Sequence, residues 1–224
     1  MHAFIQPLEK IFKQHANSER AAWSKAYMLN QFEFYGLVTI DRRKLAKEYM
    51  KQAPTPSLKQ LEQIVRQCWG LPQREWHYFA VELLAFHKKL WQPSIIELME
   101  YCIVHNSWWD SVDHIASECL THYFKTFPEK IIPVTSSWNN SKNIWLQRSS
   151  IMFQKAFKKD TDTALLSTYI LHCKDSPDFF IRKAIGWALR EYSKTNTAWV
   201  KKFVQQNKLH PLSAREALKR IEKG

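Results

Sequence analysis

Four segments of this chain repeat one pattern at a near-constant interval. Glu75–Val81 aligns with Trp109–Ile115 at an offset of thirty-four residues, and Ile144–Ser150 and Phe179–Ile185 follow at thirty-five each. Each opens on large apolar or aromatic residues and continues with helical spacing. A unit of this length is too short to bury its own apolar face, but stacked antiparallel helix pairs bury it between neighbours. The interval therefore predicts an all-α chain: an α-solenoid of antiparallel helix pairs forming a single curved domain over residues 1–224. Identity between the units is low, which leaves an ordinary helical bundle as the alternative.

Local signals agree with helices. Leu58, Leu61, Ile64, Val65 and Cys68 recur at i, i+3, i+6 and i+7, and Phe79, Leu83, Leu84 and Phe86 do much the same. Caps are expected at Ser57, Ser94 and Ser176, the last before a proline at the first helical position, and Ser213 with Glu216 reads as a capping box. Short loops are expected at Asn139–Ser141 and Thr195–Thr197. The count comes to about a dozen helices and no convincing strand. Only 4 glycines are present, and neither GxGxxG nor GxxxxGKS occurs, so phosphate-cradling loops have no support.

The net charge of +12 is uneven. Residues 141–224 hold 17 Lys/Arg against 7 Asp/Glu, a balance of +10, and residues 1–140 carry the remaining +2. Asymmetry of this kind points to a polyanion partner, although basic charge can also serve solubility alone. Cys68, Cys102, Cys119 and Cys173 form no CxxC pair, as expected of reduced thiols in a cytosolic protein. No signal-peptide pattern and no run of eighteen apolar residues is evident, so no membrane span is expected.

The same interval orders a set of chemically active side chains. Asp113, Arg148 and Lys183 are thirty-five residues apart, and Trp109 and Trp187 each lie four residues from a member of that series. On helices these five share one face. A carboxylate beside Arg and Lys is expected to stay ionised. It can stabilise an oxocarbenium-like transition state at a sugar carbon and orient a water, as carboxylates do in glycoside hydrolysis. The same Asp could instead be salt-bridged to Arg148, holding two repeats together. Trp109 and Trp187 could offer π faces to a deoxyribose or a cationic base, whereas most tryptophans pack in cores. Trp108 and Trp109 differ by about 100° around a helix, so one ring can enter the core, and Trp108 is the one expected there. Arg148 and Lys183 could hold phosphates, within a basic field that includes Lys142, Lys155, Lys158, Lys159, Arg182, Arg190 and Lys194. The histidines show no HExxH spacing, and His114 and His122 lack a completing carboxylate pair, so no metal is expected. The GxSxG elbow and the glycine-rich helix-hairpin-helix loop are both missing.

At these residues the chain resembles the AlkD-type DNA alkylation repair glycosylases, a family built of HEAT-like repeats. The resemblance rests on Ser107–Asp113, Asn143–Arg148 and Lys183–Trp187, together with Arg190-Glu191-Tyr192 and Pro211-Leu212-Ser213. It runs from Met1-His2 to the last helix. It implies removal of N3- and N7-alkylated purines from duplex DNA held on the concave face, without flipping the lesion into a pocket, unlike the usual glycosylase arrangement. It implies Asp113 as the catalytic carboxylate, Trp109 and Trp187 against the lesion's sugar-phosphate, Arg148 on the DNA backbone, and Tyr27 at a DNA-facing position. Lys183 and Arg190 join the DNA-binding set on charge. One departure is Val38, which stands where a relative has Gln and removes a polar contact.

That substrate class suits the residues. N3- and N7-alkylpurines are cationic and leave without a general acid, so the enzyme needs only a stabilised sugar cation and an oriented water. The expectation is a monomeric glycosylase of the bacterial cytoplasm or nucleoid, with duplex DNA as partner, without cofactor or metal. A non-enzymatic helical-repeat adaptor for DNA or RNA also accounts for the charge, but not for an acid within the basic stripe. A protein-binding solenoid anchored by tryptophans predicts little salt dependence.

Overall fold

A computed structural model describes residues 2–221. Among them stand fourteen α-helices, a few short 3₁₀ turns and one isolated bridge between Glu33 and Gln73. The all-α helical-repeat class follows the sequence interval: α5 (Arg74–Phe86), α7 (Trp109–Ile115), α10 (Ile144–Met152) and α12 (Phe179–Tyr192) begin at or next to the first residue of each repeated segment. The chain forms two compact units, Met1–Leu98 and Met99–Gly224.

The first unit holds α1 (Gln6–Gln14), α2 (Ser18–Tyr27), α3 (Thr39–Gln52), α4 (Leu58–Trp69) and α5, and α6 (Ile95–Val104) begins within it. The apolar face of α4 packs against α5 through Leu61, Ile64, Val65 and Cys68, which are all buried. Phe79, Leu83 and Leu84 are buried on α5, whereas Phe86, at its last position, is exposed. Ser57 caps α4 in a full capping box with Gln60. Ahead of α3 the chain passes through Gly36 at φ +82, a left-handed conformation that favours glycine. A Cβ at Gly36 would stand 2.2 Å from the Asn17 carbonyl oxygen and 2.6 Å from the Ala21 nitrogen. The buried Glu75 carboxylate accepts the backbone N–H groups of Tyr35, Gly36 and Leu37 at 3.1, 2.9 and 3.3 Å, and ties this turn to α5.

The second unit contains α7, α8 (Thr121–Thr126), α9 (Ile131–Asn139), α10, α11 (Thr163–Cys173), α12, α13 (Thr197–Asn207) and α14 (Pro211–Leu218). Helices α7, α10, α12 and α14 form one row, each packing on the next. On the other side, α9 and α11 pack against α10, and α13 packs against α12 and α14. A π-helical turn over Ala116–Leu120 joins α7 to α8 without a break. The Thr121 hydroxyl bonds the Ala116 and Phe153 carbonyls there, at 3.1 and 3.3 Å.

Two helix starts depart from the sequence reading. The cap of α12 is Asp178, not Ser176: its carboxylate accepts from the Phe180 and Ile181 amides at 2.7 and 3.0 Å, and the helix begins after it. Likewise α14 begins at Pro211 with His210 as its cap. Ser213 therefore lies inside the helix, where its hydroxyl bonds the Arg182 carbonyl, and the box with Glu216 does not form. In both cases the residue standing immediately before the first helical turn satisfies the free amides. The four cysteines are buried thiols outside any disulfide, and burial pushes the Cys68, Cys119 and Cys173 thiols up from their ordinary range. Among the described residues no helix is long and apolar enough to cross a membrane.

Candidate functional site

The site is built along the row α7, α10, α12 and α14. Trp109 is the first residue of α7, and Asp113 follows one turn later on the same face. Arg148 lies in the middle of α10, whose start is fixed by the Asn143 side chain accepting from the Trp145 and Leu146 amides. Lys183, Gly186, Trp187 and Arg190 follow i, i+3, i+4 and i+7 along α12, so they share one face.

Arg148 and Asp113 form a two-pronged pair. Nε donates to Oδ1 at 2.7 Å and Nη2 to Oδ2 at 2.8 Å, while Nη1 donates to the Phe180 carbonyl. Arg148 is only 1% exposed, whereas the Asp113 side chain is 15% exposed. The sequence placed Arg148 on DNA backbone. The structure instead buries the guanidinium and engages its donors within the protein, as the ion-pair alternative for these two residues anticipates. Each carboxylate oxygen of Asp113 keeps a lone pair beyond the one Arg148 uses.

Trp187 is surrounded by cations. Arg148, Lys155, Lys183 and Arg190 place their charged centres 5.4, 5.9, 5.1 and 5.7 Å from the ring centroid. Its Nε1–H donates to Glu216 at 3.2 Å. The same carboxylate accepts from Lys183 Nζ and Arg190 Nη1, both at 2.8 Å. Burial pushes the Glu216 carboxyl up, but the Lys183 hydrogen bond and charge, the Arg190 charge and the Trp187 hydrogen bond outweigh it and hold the group below its ordinary range. Lys183 and Arg190 are thus half-buried ion-pair partners of Glu216, where the sequence expected phosphate-facing cations.

The sequence reading did not place Glu216 in the site. It stands thirty-three residues beyond Lys183, off the thirty-five-residue series, in a segment that reads locally as a capping box. A signal was nevertheless present. Glycine in a helix interior is unfavourable by about 1 kcal/mol relative to alanine, so Gly186 between Lys183 and Trp187 marks a close approach. A Cβ there would lie 2.4 Å from Glu216 Cβ and 2.9 Å from the Ser213 carbonyl oxygen.

Trp108 was expected in the core. It caps α7 in an extended conformation and is half-buried, with its ring 5.9 Å from Trp145 and 5.2 Å from Phe180. A residue outside the first helical turn does not follow the helix face, and this is why the 100° argument places it only in part. Trp109 is also half-buried. Tyr27 stands on α2 of the first unit, exposed and stacked on Trp23 at 5.3 Å with the rings 9° from parallel. Val38 is the exposed residue ahead of α3. A cavity of about 270 Å³ is lined by Lys155, Lys158 and Lys194 together with Ile151, Leu166 and Ala188.

The profile of a family described as DNA alkylation repair enzyme matches residues 8–221. A solved structure described as a predicted DNA alkylation repair enzyme from Enterococcus faecalis is similar at 30% identity, with a TM-score of 0.86 over 94% of this chain and 98% of that one. The smu.31 protein of Streptococcus mutans UA159 shares the fold at 17% identity, with a TM-score of 0.61 over 93% of this chain and 98% of that one. Among curated proteins none matches. Nearly the whole chain is thus accounted for by one family, and the protein belongs to the DNA alkylation repair enzymes.

Proposed function

We propose that this chain is a DNA glycosylase that hydrolyses the N-glycosidic bond of positively charged N3- and N7-alkylpurines in duplex DNA, without flipping the base into a pocket. The observation that carries this reading is the Asp113 carboxylate, part-exposed and held at both oxygens by a buried guanidinium. A group fixed in this way pays no reorganisation penalty when positive charge develops at C1′. The lone pairs that Arg148 does not use can accept a hydrogen bond from water, so the same carboxylate orients the water that attacks the sugar carbon. The leaving purine is already cationic and departs as a neutral base, so no general acid is required.

In this reading Trp109, one turn from Asp113, and Trp187 both lie against the lesion's sugar-phosphate. Arg148 acts on Asp113 rather than on phosphate. The DNA backbone is drawn by the excess charge of residues 141–224, with Lys183 and Arg190 contributing through the donors that Glu216 leaves unused and Tyr27 contributing from the first unit. The site uses no cofactor or metal, and the protein works as a monomer in the cytoplasm. The family assignment supports a DNA substrate.

The test is incubation with duplex DNA carrying one N7-methylguanine, followed by detection of the free base. A no-enzyme control is essential because this lesion also depurinates spontaneously. Release above the control, abolished in Asp113→Asn, is expected. Duplex binding without any release would favour a non-enzymatic DNA-binding adaptor.

A further inference from the structure

The Trp187 indole touches the partners of two ion-paired groups. Asp113 is clamped by Arg148, whose guanidinium lies 5.4 Å from the ring centroid. Glu216 receives the indole N–H at 3.2 Å and two cations at 2.8 Å. Helix α14 does not need Glu216 for its own stability. His210 caps it, and Glu216 lies beyond the first turn, where the helix dipole no longer favours an acid strongly. The close approach of α14 to α12 nevertheless depends on a bare Cα at Gly186, directly beneath Glu216. A notch with an energetic cost, a carboxylate seated over it and three convergent donors make one arrangement.

We propose that Glu216 is a positioning residue for the reaction: its carboxylate fixes the Trp187 ring against the Arg148–Asp113 clamp and withholds Lys183 and Arg190 from full contact with phosphate. The proposal rests on the reading that Asp113 and the two tryptophans carry out base release. It differs from a simple structural tie in one respect. Removing the charge of Glu216 slows excision and at the same time strengthens binding to DNA, because the local charge rises by one unit.

The test compares Glu216→Gln and Gly186→Ala with the parent protein, on a duplex bearing N7-methylguanine and on the same duplex undamaged. For Glu216→Gln, single-turnover excision is expected to fall about tenfold to a hundredfold, the effect of a small misplacement at a reacting centre. Binding to the undamaged duplex is expected to tighten, with the slope of log K against log[salt] steeper by about 1. Gly186→Ala keeps every charge, so excision falls while the slope stays at the parent value. Parent-like excision in Glu216→Gln, or an unchanged slope, overturns the positioning role, as does a joint loss of excision and binding. The binding arm uses undamaged DNA and still reports on Glu216 if the parent releases no base, an outcome that would sink the glycosylase reading alone. Should Glu216→Gln fail to fold, Glu216→Asp keeps the charge and withdraws it by one methylene. Slower excision at an unchanged slope then supports the proposal, and parent-like excision overturns it.

Discussion

Replacing Arg148 by methionine separates its two possible roles. The substitution roughly conserves volume but removes every donor. Asp113 then loses both hydrogen bonds of the pair, and the Phe180 carbonyl loses the bond from Nη1. Removing one partner of a fully buried ion pair costs about 3–5 kcal/mol. The Asp113 side chain retains 15% exposure, so water recovers part of its solvation and about 2 kcal/mol is the better figure for the carboxylate. The Phe180 carbonyl keeps its intrahelical amide donor, and loss of the second bond, from Arg148, adds about 1 kcal/mol. The sum, about 3 kcal/mol, corresponds to a fall in melting temperature of about 6–12 °C for a chain of this size. Excision should fall about a hundredfold because Asp113 is no longer held. The salt slope of duplex binding should not change, since the buried guanidinium neutralises no phosphate. Thermal melts beside fluorescence anisotropy at several salt concentrations measure both. A melting temperature within about 2 °C of the parent, together with a slope reduced by about 1, would refute the reasoning and return Arg148 to the DNA backbone.

The remaining predictions concern single groups. Asp113→Asn should lower single-turnover excision by about 10²–10³ while duplex binding survives, and activity within about twofold of the parent would remove the carboxylate from the mechanism. His87 is buried with no partner for Nε2, and burial holds its imidazole below the ordinary range. The unfolded chain therefore takes up a proton near pH ~6.5 that the folded chain resists, so stability is full above that pH and declines as pH falls toward the folded value. His87→Leu should flatten this acid limb in urea titrations at about pH 7.5 and about pH 5, and an unaltered limb would place the sensitivity elsewhere. Gly36→Ala should destabilise the first unit by about 2 kcal/mol or more, because a Cβ would collide with backbone rather than with a yielding side chain. A melt matching the parent would show that this turn adapts.

The sequence was most legible where a physical period exists. The recurrence near thirty-five residues located the starts of α7, α10 and α12 and put Asp113, Arg148 and Lys183 along one row of helices. Periodicity states which residues share a face, but not what meets that face. Arg148 could have pointed to solvent or inward with the same spacing, and the aromatic cluster of Trp108, Trp145 and Phe180 that forms beside it depends on how α10 and α12 approach. The stripe read as one acid among cations. It is two ion-paired groups, Asp113 with Arg148 and Glu216 with Lys183 and Arg190, because the second acid comes from a helix out of phase with the series. Caps were read one signal early at Ser176, since serine, aspartate and proline stand together there and only the geometry of the first turn chooses among them.

The π-helical turn after Asp113 acts as a phase shifter. It packs one residue more into Ala116–Leu120 than an α-helix of the same length would hold. Upstream, the helix is indexed to Arg148 through Asp113; downstream, it is indexed to the interior through the buried Tyr123 and Phe124. Wound as a regular α-helix, the same residues would instead rotate one half against the other by about 100°. Either the clamp or the aromatic pair would then lose its register. A length change that a surface loop absorbs without consequence becomes, in a regular helix, an error of angle, and here the π-turn takes up that angle so that both halves keep their partners.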